Sequence, residues 1–315
     1  MTSASARQAI LVTGADLAPQ ALAMLHDFDI VYAGKAPDED FLVRLSQEIR
    51  PTAIIARYGR ITAAVMDASA NLRVISKHGT GIDTIDTKAA AERGIAVKAA
   101  VGANAAAVAE HTWALILACA KSVPQLDARM RGGHWDKSTH KSIELGGRTL
   151  GLVGLGAIGR RVAQVGVAMG MKVLAFDPFA TSAPDGVRLC DLPELLAGSD
   201  VVSLHCPLTE TNHLIISAES LQRMRTGAIL VNTARGGLVE EVAVEEALKS
   251  GKLFAAGLDS FAAEPVVGIH RFSGLGNAIL SPHVGGVTSD AYVSMGTAAA
   301  ANVLAVLKDL LLVTA

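Results

Sequence analysis

The chain has 315 residues, half of them apolar, and its 28 Lys and Arg nearly balance 30 Asp and Glu, so the net charge is −2. This length suits two domains, and the lack of a basic excess argues against a nucleic-acid partner. Charge or glycine interrupts the longest apolar runs before they reach a membrane span, and the N-terminus lacks the apolar core of a signal peptide. Cys119, Cys190 and Cys206 have no metal-ligand spacing, which predicts no metal site and a reducing, cytoplasmic location.

Strands and short helices alternate through the first hundred residues. Apolar runs predict strands at 10–14, 30–32, 53–56, 74–76 and 95–98. Helical spacing predicts helices at 19–27, 38–49 and 62–68 and a further one ending at 93, with Asp38 and Thr62 as N-caps. This alternation is typical of parallel βα units. It contains no G-x-G-x-x-G motif.

A long alanine-rich helix at 103–121 is expected to connect this series to a second one. In the second half, strands are predicted at 148–153, 172–176, 201–205, 229–232, 253–258 and 278–280. Helices are predicted at 160–169, 191–197, 240–250 and 289–307. Both halves therefore have the pattern of an α/β protein with parallel sheets.

The stretch 151–177 is typical of a dinucleotide-binding unit. Gly154, Gly156 and Gly159 follow a predicted strand with G-x-G-x-x-G spacing, and a second strand ends at Asp177, eighteen residues after the third glycine. The first glycine allows a tight turn, the second lets the backbone approach a pyrophosphate, and the third lets the helix pack against the strand. The helix that follows offers free N–H groups to the phosphates. Ala157 and Ile158, between the glycines, would be part of this contact.

Polar residues stand where the predicted strands end, and ligands of doubly wound sheets bind at these carboxyl ends. They comprise Arg57, Arg60, the turn at 79–81, Asp177, the segments 205–207 and 233–235, Asp259, Glu264 and His283. Arg235 is either a carboxylate-binding fork or a surface arginine. His283 is either a proton carrier or a structural histidine, and Glu264 is either its partner or a solvated side chain. The turn at 79–81 is either an anion nest or a tight turn without a ligand.

Taken together, these motifs resemble the D-isomer-specific 2-hydroxyacid dehydrogenase family over nearly the whole chain. The resemblance rests on the segments 77–83, 104–111, 151–177, 203–209, 231–237, 257–259 with 264–265, and 281–283. It implies that Arg235 binds the substrate carboxylate and polarises the ketone. It also implies that His283 exchanges the proton and that Glu264 is its partner.

The resemblance implies further contacts. NAD would also be lined by His205, Cys206, Pro207, Thr233, Ala234, Arg235 and His283, with Asp259 holding the nicotinamide carboxamide. The substrate would contact Arg57, Tyr58, His78, Gly79, Thr80 and Gly81, together with Arg235 and His283.

The resemblance implies two Rossmann/flavodoxin-like, doubly wound parallel-sheet domains. Residues 1–100 and 285–315 would form a flavodoxin-like substrate-binding domain that closes at a hinge over an NAD-binding Rossmann domain of residues 101–284. A homodimer is expected through an arm from 103 to about 135. Ala100-Val101 departs from the Thr-Pro that is common in the family, and Tyr58 stands where many members carry serine. No regulatory domain, and hence no feedback control by serine, is expected.

Cofactor choice depends on Asp177, whose carboxylate would bind ribose hydroxyls and repel a 2′-phosphate, so NAD is expected over NADP. The basic residues Arg57, Arg60, Lys77 and His78 make 3-phosphoglycerate the leading substrate candidate. They are equally compatible with hydroxypyruvate or glyoxylate, with a small dicarboxylate, or with no specific role. Glu264 argues against a formate dehydrogenase, whose pattern has glutamine there. The alternatives are a non-catalytic NAD-sensing co-regulator and a phosphite-type dehydrogenase on the same scaffold.

Overall fold

A computed structural model describes residues 7–313, with side chains through 308. The chain divides into two compact units. Unit 1 combines Met1–Asn104 with Val287–Ala315, and unit 2 is Ala105–Gly286. Both contain an all-parallel sheet flanked by helices, which confirms the predicted fold class.

Unit 1 is built on a five-stranded sheet. Its strands are β1 (Ala9–Val12), β2 (Asp29–Tyr32), β3 (Ala53–Ala56), β4 (Val74–Lys77) and β5 (Ala96–Ala99), in the order β2-β1-β3-β4-β5. Its first helices are α1 (Pro19–Met24), α2 (Glu39–Ile49), α3 (Ala63–Asp67) and α4 (Thr87–Glu92). This strand order is the flavodoxin-like one. Both faces are covered, and Ile54, Ile55 and Ile75 are fully buried, as expected of parallel strands.

The two predicted caps behave differently. Asp38 caps α2, because its Oδ1 accepts a hydrogen bond of 2.7 Å from the backbone N–H of Phe41. Thr62 occupies the N-cap position of α3 but makes no side-chain capping bond. Its hydroxyl instead donates to Glu39 Oε1 at 2.7 Å, which ties α3 to the first turn of α2.

Unit 2 is built on a seven-stranded sheet. Its elements in chain order are α5 (Ala105–Lys121), α6 (Val123–Arg131), β6 (Thr149–Val153), α7 (Ala157–Ala168), β7 (Lys172–Phe176), β8 (Val187–Leu189), α8 (Leu192–Gly198), β9 (Val201–Leu204), α9 (Ala218–Arg223), β10 (Ala228–Asn232), α10 (Glu241–Ser250), β11 (Leu253–Leu258) and β12 (Ala278–Leu280). The order is β12-β11-β10-β9-β6-β7-β8. The sequence pattern missed α6, β8 and α9. None of the residues of α6 is buried, so it lacks the apolar periodicity by which helices are recognised.

The topology of unit 2 determines where a ligand can bind. From β6 the chain builds the sheet outward through β7 and β8, then returns to β9 on the other side of β6 and continues to β12. The point of reversal therefore lies between the carboxyl ends of β6 and β9, which is where doubly wound sheets bind their ligands. On one face, α5 packs against β10, β11 and α7, and the indole N–H of Trp113 donates to Val162 O at 3.2 Å.

The final helix, α11 (Ser289–Val313), belongs to unit 1 and packs against α1, β4 and β5. By length and composition alone, Ser289–Lys308 is long and apolar enough to cross a membrane, although Asp290, Gly296 and Lys308 stand within it. Ala299, Ala300 and Val303 are fully buried in the core of unit 1. This packing accounts for apolar residues on one side of the helix.

Candidate active site

The three glycines after β6 have three different environments. Gly154 has φ of +103°, and a Cβ there would lie 2.7 Å from the carbonyl carbon of His205. A Cβ on Gly159 would lie 2.2 Å from Gly154 O. These two glycines therefore bring the loops after β6 and β9 and the start of α7 into close contact. A Cβ on Gly156 would meet no protein atom within 4 Å.

Gly156 is the N-cap of α7, and Ala157 and Ile158 form the first turn. An open approach at the N-terminus of a twelve-residue helix offers free backbone N–H groups to an anion. This arrangement fits the pyrophosphate of a dinucleotide. α7 begins three residues earlier than the pattern predicted, directly after the loop.

Asp177 lies at the end of β7, beside this loop. Its Oδ2 accepts a hydrogen bond of 2.8 Å from Leu155 N, and its Oδ1 accepts one of 2.9 Å from Phe179 N. Two backbone amides thus fix the carboxylate, whose remaining lone pairs suit ribose hydroxyls. Arg160, which the sequence pattern did not single out, lies one turn into α7 and its Nη2 is 3.5 Å from Ser182 O. The segment after Asp177 therefore has a cation nearby, although none is in its own sequence.

His205, Cys206 and Pro207 follow β9 on the other side of the reversal point. His205 Nε2 lies 2.9 Å from Ser203 Oγ, and burial lowers the pKa of His205 to about 3, so that its ring is neutral near pH 7. Burial raises the pKa of Cys206 to about 11, so its thiol stays protonated. Pro207 O accepts a hydrogen bond of 2.7 Å from Asn212 Nδ2. The side chains of His205, Cys206 and Pro207 are therefore uncharged near pH 7. All three residues lie beside the glycine loop.

The turn after β10 is held by the side chain of Asn232. Its Oδ1 accepts from Ala234 N at 3.0 Å, and its Nδ2 donates to Arg235 O at 2.8 Å. Thr233 is buried, and its hydroxyl lies 2.9 Å from that of Thr112 on α5. The backbone from which Arg235 projects is therefore fixed on both sides.

The structure brings Glu264 and His283 together, a contact that the sequence could not show. Glu264 Oε2 lies 2.6 Å from His283 Nδ1, and its Oε1 accepts a hydrogen bond of 2.8 Å from Phe261 N. His283 has φ of +54°, an uncommon backbone conformation for a residue with a side chain. The histidine is thus presented by a turn that depends on its surroundings.

Electrostatics favour the charged form of this pair. The hydrogen bond to Glu264 raises the pKa of His283, against the opposing effects of burial and of the charge on Arg235. Burial tends to raise the pKa of Glu264, but the hydrogen bonds from His283 and Phe261 N and the charges of His283 and Arg235 outweigh it, so the pKa is lowered. Both shifts favour the same form of the pair, an imidazolium bound through Nδ1 to a carboxylate. This leaves Nε2 as the nitrogen that can exchange a proton with a ligand.

Asp259, at the end of β11, is only 1% exposed. Its Oδ1 accepts hydrogen bonds from Ser281 Oγ at 2.6 Å and Val284 N at 3.0 Å, and its Oδ2 accepts one from Gly285 N at 2.8 Å. Both oxygens are therefore bound to the loop that carries His283. His111 Nε2 lies 2.9 Å from Ser281 Oγ, and neither residue stood out as a candidate site residue in the sequence. The only signal for His111 was its place in the 104–111 motif.

The candidate substrate residues of unit 1 lie at the ends of the neighbouring strands β3 and β4. Arg57 pairs through Nη1 with Asp16, its side chain is 12% exposed, and its guanidinium lies 5.1 Å from the ring centroid of Tyr292 and 5.5 Å from that of Tyr58. Its backbone carbonyl accepts a hydrogen bond of 3.0 Å from Lys77 Nζ. Arg57 is thus part of a structured cluster and is not a solvated charge.

His78 follows β4 and is buried, with its ring centroid 5.6 Å from that of Tyr292. Burial and then the charge of Arg57 lower the pKa of His78 to about 4, so it is neutral near pH 7. Gly79 has φ of +144°, and Thr80 Oγ1 donates to Asn104 Oδ1 at 3.0 Å. Gly81, the last of the predicted substrate contacts, is half-buried.

The described residues contain no group of three His, Cys, Asp or Glu side chains that could hold a metal ion.

Comparison with known proteins places these residues in context. The sequence model of the D-isomer specific 2-hydroxyacid dehydrogenase, NAD binding domain, matches residues 113–285. The hydroxypyruvate reductase of Thermotoga maritima is 40% identical over 261 residues, which cover 82% of this chain and 85% of that protein. The D-3-phosphoglycerate dehydrogenase of Archaeoglobus fulgidus is 39% identical over 262 residues, and the chain spans about half of its length (50%). The solved structure of the TT0316 protein from Thermus thermophilus is similar with a TM-score of 0.88 at 37% identity, covering 96% of this chain and 97% of that one.

Proposed function

The chain belongs to the D-isomer-specific 2-hydroxyacid dehydrogenase family, and from this premise we propose that it transfers a hydride between NAD(H) and a small 2-oxo acid and its D-2-hydroxy acid. The observation that carries the proposal is the His283–Glu264 pair, with the charge of Arg235 acting on both, in the unit that also holds the glycine loop. Relatives named as reductases and dehydrogenases favour this activity over the co-regulator alternative.

The residues of unit 2 suggest how NAD is held. The N–H groups after Gly156 would bind the pyrophosphate, and the carboxylate of Asp177 would accept hydrogen bonds from the adenosine ribose. When bound, NADH supplies the hydride.

The other roles belong to the chain. Arg235 would bind the carboxylate of the acid with two parallel hydrogen bonds and orient its carbonyl. His283 would give its Nε2 proton to the oxygen as negative charge develops there, and would take it back in the oxidation. Glu264 stabilises the imidazolium and keeps its Nε2 directed away from the pair.

The charges of unit 1 bear on the substrate. Arg57 is paired with Asp16, and His78 is neutral near pH 7. Of the four basic residues that suggested a phosphorylated substrate, Arg57 is therefore paired with a carboxylate and His78 is uncharged. We therefore favour hydroxypyruvate or glyoxylate over the phosphorylated acid of the phosphoglycerate dehydrogenases.

We also propose the domain roles and the homodimer that the family resemblance implies. Residues 101–284 would bind NAD, and residues 1–100 with 285–315 would bind the substrate. A homodimer through the arm from 103 to about 135 would cover exposed apolar side chains there, since Val123, Met130 and Trp135 are 57%, 53% and 74% exposed. A cytoplasmic location fits the three free cysteines.

A panel of 2-oxo acids tests the proposal. Glyoxylate, hydroxypyruvate, 3-phosphohydroxypyruvate, pyruvate and oxaloacetate are offered with NADH and, separately, with NADPH, and absorbance at the nicotinamide band is followed. Steady oxidation of NADH with hydroxypyruvate or glyoxylate, faster than with the phosphorylated acid, is expected. Tight NADH binding without turnover of any acid would instead favour the co-regulator, and oxidation of phosphite without reduction of any 2-oxo acid would favour the phosphite-type dehydrogenase.

A further inference from the structure

His111 lies in the middle of α5 and is joined to a loop 170 residues further along the chain. Its Nε2 is 2.9 Å from Ser281 Oγ and 3.3 Å from Asp259 Oδ1. The flanking residue Thr112 and the next-turn residues Leu115 and Ile116 are buried in the core of unit 2. The helix is therefore a rigid reference against which the loop is held.

The directions of these hydrogen bonds follow from the available protons. Ser281 has one hydroxyl proton, and the 2.6 Å contact places it on the carboxylate of Asp259, which already accepts from two backbone N–H groups. Ser281 Oγ must then act as acceptor towards His111, so His111 Nε2 carries a proton. The imidazole thus donates to Ser281, and its second, longer contact is to the same carboxylate.

The loop also packs closely against His111 and Asp259 at Gly285. A Cβ on Gly285 would lie 2.9 Å from Asp259 Oδ2 and 3.3 Å from His111 Cδ2. His283 lies between Ser281 and Gly285, and its N–H donates to Ser281 O at 3.0 Å while its φ is +54°. A residue in this conformation keeps it only where the neighbouring backbone is fixed.

We propose that His111 is a positioning residue, which through Ser281 and Asp259 fixes the loop from which His283 reaches Glu264 and the substrate. The expected effect on turnover rests on the proposed dehydrogenase function. The expected effect on the titration of His283 does not depend on that function. If the donor at Nε2 is lost, the loop gains freedom and the 2.6 Å bond between His283 and Glu264 weakens.

Two matched amide variants distinguish the loss of the Nε2 hydrogen-bond donor from the loss of the imidazole ring. His111→Gln places an amide N–H near the position of the lost Nε2, whereas His111→Asn places its amide near that of Nδ1 and does not reach Ser281. Both replace the ring by a neutral polar side chain on the same buried helix. The measurements use the full chain, NADH and the best acid of the panel. His111→Asn should lower kcat about tenfold or more while the Kd for NADH changes less than about twofold, because a misplaced proton donor affects chemistry rather than cofactor binding. His111→Gln should keep kcat within about threefold.

A second readout needs no turnover. The titration of His283, followed by NMR of ring-labelled histidine in the protein without cofactor, should move to lower pH in the Asn variant and stay in place in the Gln variant. Glu264, Arg235 and Asp259 are the charged groups that act on the pKa of His283 in unit 2, and neither variant alters them.

The outcomes are distinguishable. Equal behaviour of the Asn and Gln variants, in kcat and in the titration, overturns the proposal, as does an unchanged His283 titration in Asn. If the unmodified chain reduces none of the acids, the proposed function fails, and the titration alone decides the role of His111. If the Asn variant does not fold, Ser281→Ala replaces it. This variant removes the bridging hydroxyl and should lower the His283 titration in the same way, and its failure to do so is equally decisive against the proposal.

Discussion

Gly156 offers a direct test of the phosphate cradle, because its substitution should affect the cofactor and leave the fold intact. In Gly156→Ala the new methyl meets no protein atom within 4 Å, and the backbone angles, φ −74° and ψ −160°, are open to alanine. Losing glycine at the N-cap costs about 0.5–1 kcal/mol, and the smaller entropy of the unfolded chain returns about 0.4–1 kcal/mol. The free energy of unfolding should therefore change by no more than about 0.5 kcal/mol.

The same methyl would stand where a pyrophosphate approaches the N–H groups of α7. Displacing the phosphate from one charge-assisted hydrogen bond costs about 1.5–3 kcal/mol, which is about 10- to 150-fold in Kd for NADH. Fluorescence titration of NADH gives the Kd, and a thermal melt gives the stability.

Two further glycines serve as controls. Gly274→Ala also meets no atom within 4 Å but lies outside the glycine loop. The Kd for NADH should therefore stay unchanged, and the free energy of unfolding should rise by about 0.4–1 kcal/mol from the smaller entropy of the unfolded chain. Gly159→Ala drives a methyl to 2.2 Å from Gly154 O, and such overpacking costs about 1–3 kcal/mol, or roughly 2–4 °C of Tm per kcal/mol for a domain of this size. Unchanged NADH affinity in Gly156→Ala would refute the cradle. A fall in its stability as large as that of Gly159→Ala would show that the open space had been misjudged.

Three other substitutions test the catalytic residues, and a fourth tests the cofactor preference. Glu264→Gln removes the group that raises the pKa of His283. Because reduction needs the protonated imidazole and is lost as pH rises through that pKa, the alkaline limb of kcat/KM should move to lower pH. An alkaline limb that stays in place would contradict the pairing of Glu264 with His283. His283→Ala should lower kcat by about 10²- to 10⁴-fold with NADH affinity nearly intact, and survival of activity would rule out its role as proton carrier. Arg235→Lys should raise KM for the acid about tenfold or more, since a point charge cannot reproduce two parallel hydrogen bonds, and an unchanged KM and kcat would exclude carboxylate binding there. Asp177→Ala should narrow the preference for NADH over NADPH, and equal efficiency with both cofactors in the unmodified chain would already contradict the assignment of Asp177.

Much of the molecule could be predicted from local pattern. Parallel strands are buried on both faces, so they appear as short apolar runs, and β3, β7, β11 and β12 begin and end where the runs do. Asp38 was recognisable as a cap because capping needs only a side-chain oxygen within three residues of the N–H that it accepts from. Elements without such a signal were missed, as for α6, whose residues all remain at least partly exposed.

Site residues differ in how far their function depends on distant partners. The glycine spacing and Asp177 are readable because a strand, a turn and a helix that follow one another have a fixed geometry. The pairing of Arg57 with Asp16 could not be predicted from the sequence, because the two residues lie 41 positions apart in the chain. The bonds from Glu264 to His283 and from His111 to Ser281 span 19 and 170 residues.

The α/β class, the dinucleotide motif and the candidates for each chemical role could be predicted from the chain alone, since they depend on residue type and on spacing along one or two elements. Which of these candidates touch became clear only from the folded chain. Contacts between the ends of different strands depend on strand order, register and the packing of α5 on the sheet, and none of these is encoded in a short stretch of chain. A hydrogen bond forms only within about 3 Å, whereas spacing along the chain limits only the local path between residues.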